Sequence, residues 1–329
     1  MAHVVLGVGT SHTPHLSTPT SMWWERAEQD HTNPLLFDRD GVLRDYAGVL
    51  AGAGDRYQDR ASRSEALWEA ADQKAQAALD KLRDEIKAAA PDVVIIVGDD
   101  QAEMFSADNQ PSMAVGGAAT MVTGVHNRDA MFHDSAFLIE ATKGYWQDTP
   151  HTFTGAPELA TDLVHQLTGN GVDVGWLGGN TGYGHAFGFI LNRLLSPTPP
   201  PVIPFLVNCF FGPNQPTPKR CVEVGRALRK AIDASPIDAR VALVASGGLS
   251  HFVVNEELDL GTLQALQSKD WDYLASTPAE LLQGGTSENR NWILVGAAMG
   301  DATMDWWEYT DLIRTEAGTG CGLAFATWR

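Results

Sequence analysis

Five short apolar runs constrain the fold of this chain more than any other feature: Val4–Val8, Val93–Val97, Val172–Trp176, Val202–Val207 and Val241–Ala245. Each is nearly continuous and rich in Val, Ile and Leu. A strand with one face in water alternates apolar and polar residues, whereas a strand covered on both faces has no need to. Helical patterns lie between the runs, over Glu65–Ala89, Leu159–Leu167, Cys221–Ala234 and Asn289–Met299. The alternation predicts an α/β protein with a central, mostly parallel sheet flanked by helices. There is no fixed-period repeat and no low-complexity tract. The proline cluster Pro197–Pro201 leads straight into an apolar run, so one catalytic domain over residues 1–329 is expected.

The turns after the runs are more informative than the runs themselves. Val4–Val8 leads into Gly-Thr-Ser-His-Thr-Pro-His, and Val93–Val97 into Gly-Asp-Asp-Gln-Ala-Glu. Val202–Val207 leads into Asn-Cys-Phe-Phe-Gly-Pro-Asn-Gln-Pro, and Val241–Ala245 into Ser-Gly-Gly-Leu-Ser-His. Ligand sites in open α/β sheets lie outside the carboxyl ends of the strands. One cleft collecting all four turns is therefore the expected location of an active site.

Charge and cysteine content narrow the function classes. With 23 Lys and Arg against 41 Asp and Glu, the formal charge is −18. Nucleic acid and anionic membrane surfaces need the opposite balance and are not expected partners. Cys209, Cys221 and Cys321 are far apart and form no CxxC pair, which excludes a zinc ribbon and suits a reducing cytoplasm. No apolar run reaches the roughly 18 residues of a membrane helix. P-loop, GxGxxG, GxSxG and HExxH patterns are absent, removing the usual nucleotide, α/β-hydrolase and zincin readings.

The candidate chemistry sits in the turns. His12 and His15 follow the first strand, a rigid place for a metal-binding imidazole; a solvated or capping histidine is the alternative. Asp99, Asp100, Gln101 and Glu103 form a polar group that suits either a metal or the cap of a following helix. His251 follows paired glycines and is placed to act as a general base. His185, in Gly-Tyr-Gly-His-Ala-Phe, has a similar but weaker setting. Glu288 precedes an apolar helix, where capping alone would explain it. His3, His31, His126, His133, His151 and His165 read as ordinary loop, surface or packing histidines. The pairs Trp23-Trp24 and Trp306-Trp307 read as packing or subunit contacts. Lys219, Arg220 and Arg290 lie near the motifs and read as surface charges.

Taken in order, these segments resemble the class III extradiol ring-cleavage dioxygenases, the family of the protocatechuate 4,5-dioxygenase catalytic subunit. The resemblance rests on Gly-Thr-Ser-His12, Gly-Asp-Asp-Gln101-Ala-Glu-Met-Phe, Gly184-His185, Asn208 with Pro213-Asn-Gln-Pro-Thr-Pro218, Ser-Gly-Gly-Leu-Ser-His251 and Thr-Ser-Glu288. It implies a non-haem Fe(II) site acting on a catechol-like aromatic diol and O2. By the same resemblance, His12 and Glu288 ligate iron, His251 deprotonates the catechol and His185 helps steer the proton. The family's second iron histidine falls on Gln101. An amide oxygen is a weaker donor to Fe(II) than imidazole, and Gln101, Asp100 and His15 are the three candidates for that place. The departure keeps a second reading alongside the first: a divalent-metal hydrolase or a non-catalytic binding protein on the same fold. A homodimer is the expected assembly, and some family chains also work with a small helical accessory subunit.

Overall fold

The computed structural model describes residues 1–61, 64–125, 135–179 and 182–329; His126 and His133 lie outside the described residues. Its centre is an eight-stranded sheet. In chain order the strands are β1 (His3–Thr10), β2 (Val93–Gly98), β3 (Met113–Gly116), β4 (Gly175–Leu177), β5 (Val202–Val207), β6 (Arg240–Ser246), β7 (Met304–Ile313) and β8 (Gly320–Trp328). In space they run β7-β8-β1-β6-β2-β5-β3-β4. The middle four, β1, β6, β2 and β5, are parallel to one another. The antiparallel β7-β8 hairpin closes one edge, and β3 joins β5 antiparallel at the other.

The continuous apolar runs are explained by cover on both faces. Every residue of β2 and β5 is buried. Side chains alternate across a strand, so Val93, Ile95 and Val97 pack on one side with Val241, Leu243 and Ala245. Val94 and Ile96 pack on the other with Ala242 and Val244. The first face is covered by helices α2 (Pro157–Gly169), α4 (Pro218–Ala234) and α6 (Asn289–Ala298). Helix α5 (Glu256–Ser268) adds Leu263 and Leu266 to the same face. The second is covered by α1 (Ser64–Ala89) and α3 (His185–Ile190). Full burial of an Ile or Leu side chain contributes roughly 1.5–3 kcal/mol, so two such faces strongly fix the strand register.

Two expectations shift. The run Val172–Trp176 gives a strand only over Gly175–Leu177; the Val172 amide instead closes the end of α2 on the Leu167 carbonyl, at 2.9 Å. The β7-β8 hairpin is not among the expected strands. β7 interleaves Asp305, Glu308 and Asp311 with aromatics, and β8, buried along its whole length, mixes Leu323, Phe325 and Trp328 with Gly, Ala and Thr.

Candidate metal centre

Strands β1, β6 and β2 are immediate neighbours, and the turns at their carboxyl ends carry His12, His251 and Asp99 with Gln101. Parallel neighbours lie about 4.8 Å apart, so these side chains start within reach of one another. Two further groups arrive from opposite faces of the sheet. Glu288 ends a short 3-10 turn, Gly284–Glu288, that leads into α6. His185 is the first residue of α3. Glu288 stands at the N-cap position of α6 but makes no side-chain cap bond, which corrects its reading as a simple cap. Its carboxylate turns inward and accepts the Gly248 amide on Oε2 at 2.6 Å. Gly247 allows this approach. It has φ +147°, and a Cβ there would sit 2.8 Å from the Glu288 Cβ.

Three nitrogens surround the other oxygen of Glu288. His12 Nε2, His251 Nε2 and Gln101 Nε2 each lie 3.4 Å from Oε1. The tautomer of His12 follows from its second nitrogen. Ser246 Oγ donates its one hydrogen to the Ala186 carbonyl at 2.6 Å, so it must accept from His12 Nδ1 at 2.9 Å. Nδ1 therefore carries a hydrogen, and Nε2 is the nitrogen that faces the carboxylate and would face a metal. His251 Nδ1 donates to the Leu249 carbonyl at 3.1 Å, and the same logic points its Nε2 inward. His185 is held by Glu103, whose Oε1 accepts the His185 amide at 2.7 Å and its Nδ1 at 2.8 Å. Gly184 makes room for that carboxylate, since a Cβ there would fall 1.9 Å from Glu103 Oε2.

One ligand atom from each of His12, Asp99, His185 and Glu288 lies within 4.8 Å of the others. Asp99 is fully buried and its Oδ1 has no hydrogen-bond partner. Imidazole nitrogens and carboxylate oxygens converging on one buried point form a donor set that, once the imidazoles give up a proton, suits a divalent transition metal. The residues present therefore fit an ion of that kind.

The electrostatics express the same crowding. Burial would raise the Glu288 carboxyl, but His12 and His251 hold it well below the usual range. Burial would lower His251, yet Glu288 raises it to about 9. His185 likewise would fall with burial, and Glu103 lifts it to about 10. Asp99 is pushed up, first by burial and then by the charge of Glu288. Opposed shifts packed into one cleft are a mark of functional sites.

Other sequence candidates take different places. Asp100 is a turn residue: its oxygens accept the Met104 and Phe105 amides at 2.9 and 3.2 Å. His15 lies against Trp23 and Phe137, and burial drives its pKa well down. The turn after β5 does not reach the cavity beside His12. Strand β5 lies one position beyond β2, and Asn208 there bonds to Phe211 and Asn214. Three of the four turns therefore meet, not all four. Arg290 is not a surface charge; it is buried and donates to the carbonyls of Pro216 and Leu282 at 2.7 and 2.9 Å.

A cavity of about 170 Å³ opens beside the cluster, lined by His12, Gln101, His185, His251 and Glu288 and by apolar groups including Leu138, Ala141 and Leu323. Arg26 and Arg314 also line it. Arg314 forks onto Asp30 at 2.7 and 3.1 Å, and Arg26 lies 3.6 Å from the same carboxylate. Neither arginine stands in a recognisable motif, and neither emerged from the sequence. Ser246 and Glu103 were visible as motif members, but nothing local assigns them to orient His12 and His185.

Over residues 61–321 the chain matches the family described as the catalytic LigB subunit of aromatic ring-opening dioxygenase. Among curated proteins it is similar to a gallate dioxygenase of Pseudomonas putida, 33% identical over 91 residues, which is 28% of this chain and 26% of that protein. It is also similar to the 2,3-dihydroxyphenylpropionate/2,3-dihydroxicinnamic acid 1,2-dioxygenase of Photorhabdus laumondii. That match is 27% identical over 186 residues, 56% of this chain and 50% of the relative. The matches thus span about a quarter and a half of the lengths of these relatives.

Proposed function

Since this chain belongs to the family of the catalytic LigB subunit of aromatic ring-opening dioxygenases, we propose that it is an Fe(II)-dependent extradiol enzyme. Its substrate in this reading is a protocatechuate- or gallate-like catechol, opened beside the diol with O2. The observation that carries the proposal is the meeting of His12, His251 and Glu288 at 3.4 Å on the wall of a ring-sized cavity. A dry cavity of about 150 Å³ accommodates one benzene ring, and this one has about 170 Å³.

His12 and Glu288 would hold the ion. When bound, iron supplies a redox-active Lewis acid with open positions for a diol and for O2. The remaining work falls to side chains. His251, with Nδ1 anchored on Leu249, presents Nε2 to a diol hydroxyl and takes its proton. The cause of its raised pKa is the charge of Glu288. Once that charge is shared with a cation, His251 returns toward the range of a base near neutrality. His185, fixed by Glu103, donates or accepts a hydrogen bond on the opposite side of the ring. Leu138, Ala141 and Leu323 exclude water, and the Arg26 guanidinium on the cavity wall suits a ring carboxylate. The reading extends to one catalytic domain working as a homodimer in the cytoplasm.

Oxygen consumption by anaerobically Fe(II)-loaded protein tests this against catechols with and without a carboxylate. Carboxylated catechols should give uptake and a coloured ring-opened product. His251→Ala should lower kcat about 10²–10⁴-fold while iron stays bound, and Arg26→Gln should raise KM for the carboxylated substrates alone. No uptake across the panel overturns the proposal.

A further inference from the structure

We infer that Asp99, two residues before the position where the family pattern would put a histidine, completes the metal ligand set with His12 and Glu288, and that Gln101 is the clamp between the two carboxylates. The inference rests on the reading of this cluster as a metal site, but not on ring opening.

Gln101 Nε2 lies 3.2 Å from Asp99 Oδ2 and 3.4 Å from Glu288 Oε1. Turned the other way, the amide would set its oxygen against two carboxylate oxygens, so the NH2 group must face them. With both hydrogens directed at Asp99 and Glu288, the amide has no lone pair to offer at that point. Gln101 is therefore poorly placed to replace imidazole, but well placed to hold two anions at a fixed separation.

Asp99 has what Gln101 lacks. It is the first residue past β2 and is fully buried. One oxygen is taken by the clamp, and the other, Oδ1, has no partner. A buried carboxylate oxygen left without a donor is costly unless a cation satisfies it. One Asp99 oxygen lies within 4.8 Å of the donor atoms of His12, His185 and Glu288. Asp100 is unavailable because two backbone amides occupy its carboxylate. A histidine that ligates through Nε2 brings no charge, and His12 has Nδ1 turned away to Ser246, so Asp99 and Glu288 together would balance a divalent ion. The result is an oxygen-rich set, which also accommodates Mn2+.

Calorimetric titration of metal-free protein with Mn2+, and anaerobically with Fe2+, tests the assignment. Asp99→Asn should weaken binding about 1000-fold, comparable with Glu288→Gln. Gln101→Leu should cost only the 10–100-fold usual for an outer partner of a ligand. Metal-free Asp99→Asn should melt no lower than wild type, because it removes one of two facing buried charges. If Gln101→Leu costs as much as Asp99→Asn or more, the assignment is overturned. If Asp99→Asn does not fold, Gln101→Leu decides against Glu288→Gln: a much smaller loss supports the assignment and an equal loss overturns it. Ring opening is judged separately. Metal binding that keeps this order in a protein inert to every catechol leaves the ligand set standing and removes the activity. Ring opening by an Asp99→Asn protein with unchanged affinity does the reverse.

Discussion

Glu103 fixes His185 through both its backbone amide and its ring, and the pair has a pH signature. His185 is raised from 6.5 to about 10, and Glu103 is lowered from 4.5 to about 2. In the metal-free protein, the stabilisation from the raised histidine is complete below pH 6.5 and fades as pH climbs through about 10. That from the depressed carboxylate is complete above pH 4.5 and fades as pH falls through about 2. Glu103→Gln should therefore bring the His185 imidazole down toward its ordinary range, read by NMR titration. It should also flatten the loss of thermal stability between pH 6.5 and 10. An unchanged His185 titration would refute the pairing. At this scale the sequence was partly legible. Histidines immediately after strands stand out because the strand itself is legible. Ser246 does not, since its effect on His12 depends on a carbonyl 60 residues away. Asp99 was visible as part of a polar group, but which of its polar neighbours faces inward depends on how the turn is wound.

The turn that carries His251 is held by an element remote in function. Asp259, on α5, accepts the Ser250 amide at 2.8 Å, the Ser250 hydroxyl at 2.6 Å and the Tyr309 hydroxyl at 2.9 Å. All three donors bond a buried carboxylate, and such bonds contribute more than neutral ones. Asp259→Ala should cost about 2–3 kcal/mol in urea unfolding, and should also loosen His251. Loss of stability without any change in the His251 NMR signals would show that Asp259 serves packing alone. Helices and the four parallel strands could be read from periodicity because each is continuous and doubly covered. The β7-β8 hairpin could not. Its strands are shaped by neighbours: Gly322 must be glycine because a Cβ would meet Asp259 Oδ2 at 2.0 Å, a contact no local pattern records.

Across the whole molecule, Asp30 and Arg314 tie the N-terminal segment to the end of the sheet. They are separated by 284 residues, joined by two hydrogen bonds and buried almost completely. Removing one partner of such a pair strands a buried charge, so Asp30→Ala should destabilise by about 3–5 kcal/mol in chemical denaturation. A loss below about 1 kcal/mol, the level of an exposed pair, would mean that Arg314 finds another partner. The strongly acidic composition did not reveal this pair, because net charge describes the surface field and not the few cations drawn inside.

The donors at positions 12, 99, 185 and 288 are spread along nearly the full described chain and approach from both faces of one sheet. Capture of a metal ion by the full set must therefore wait until the last of these segments has docked.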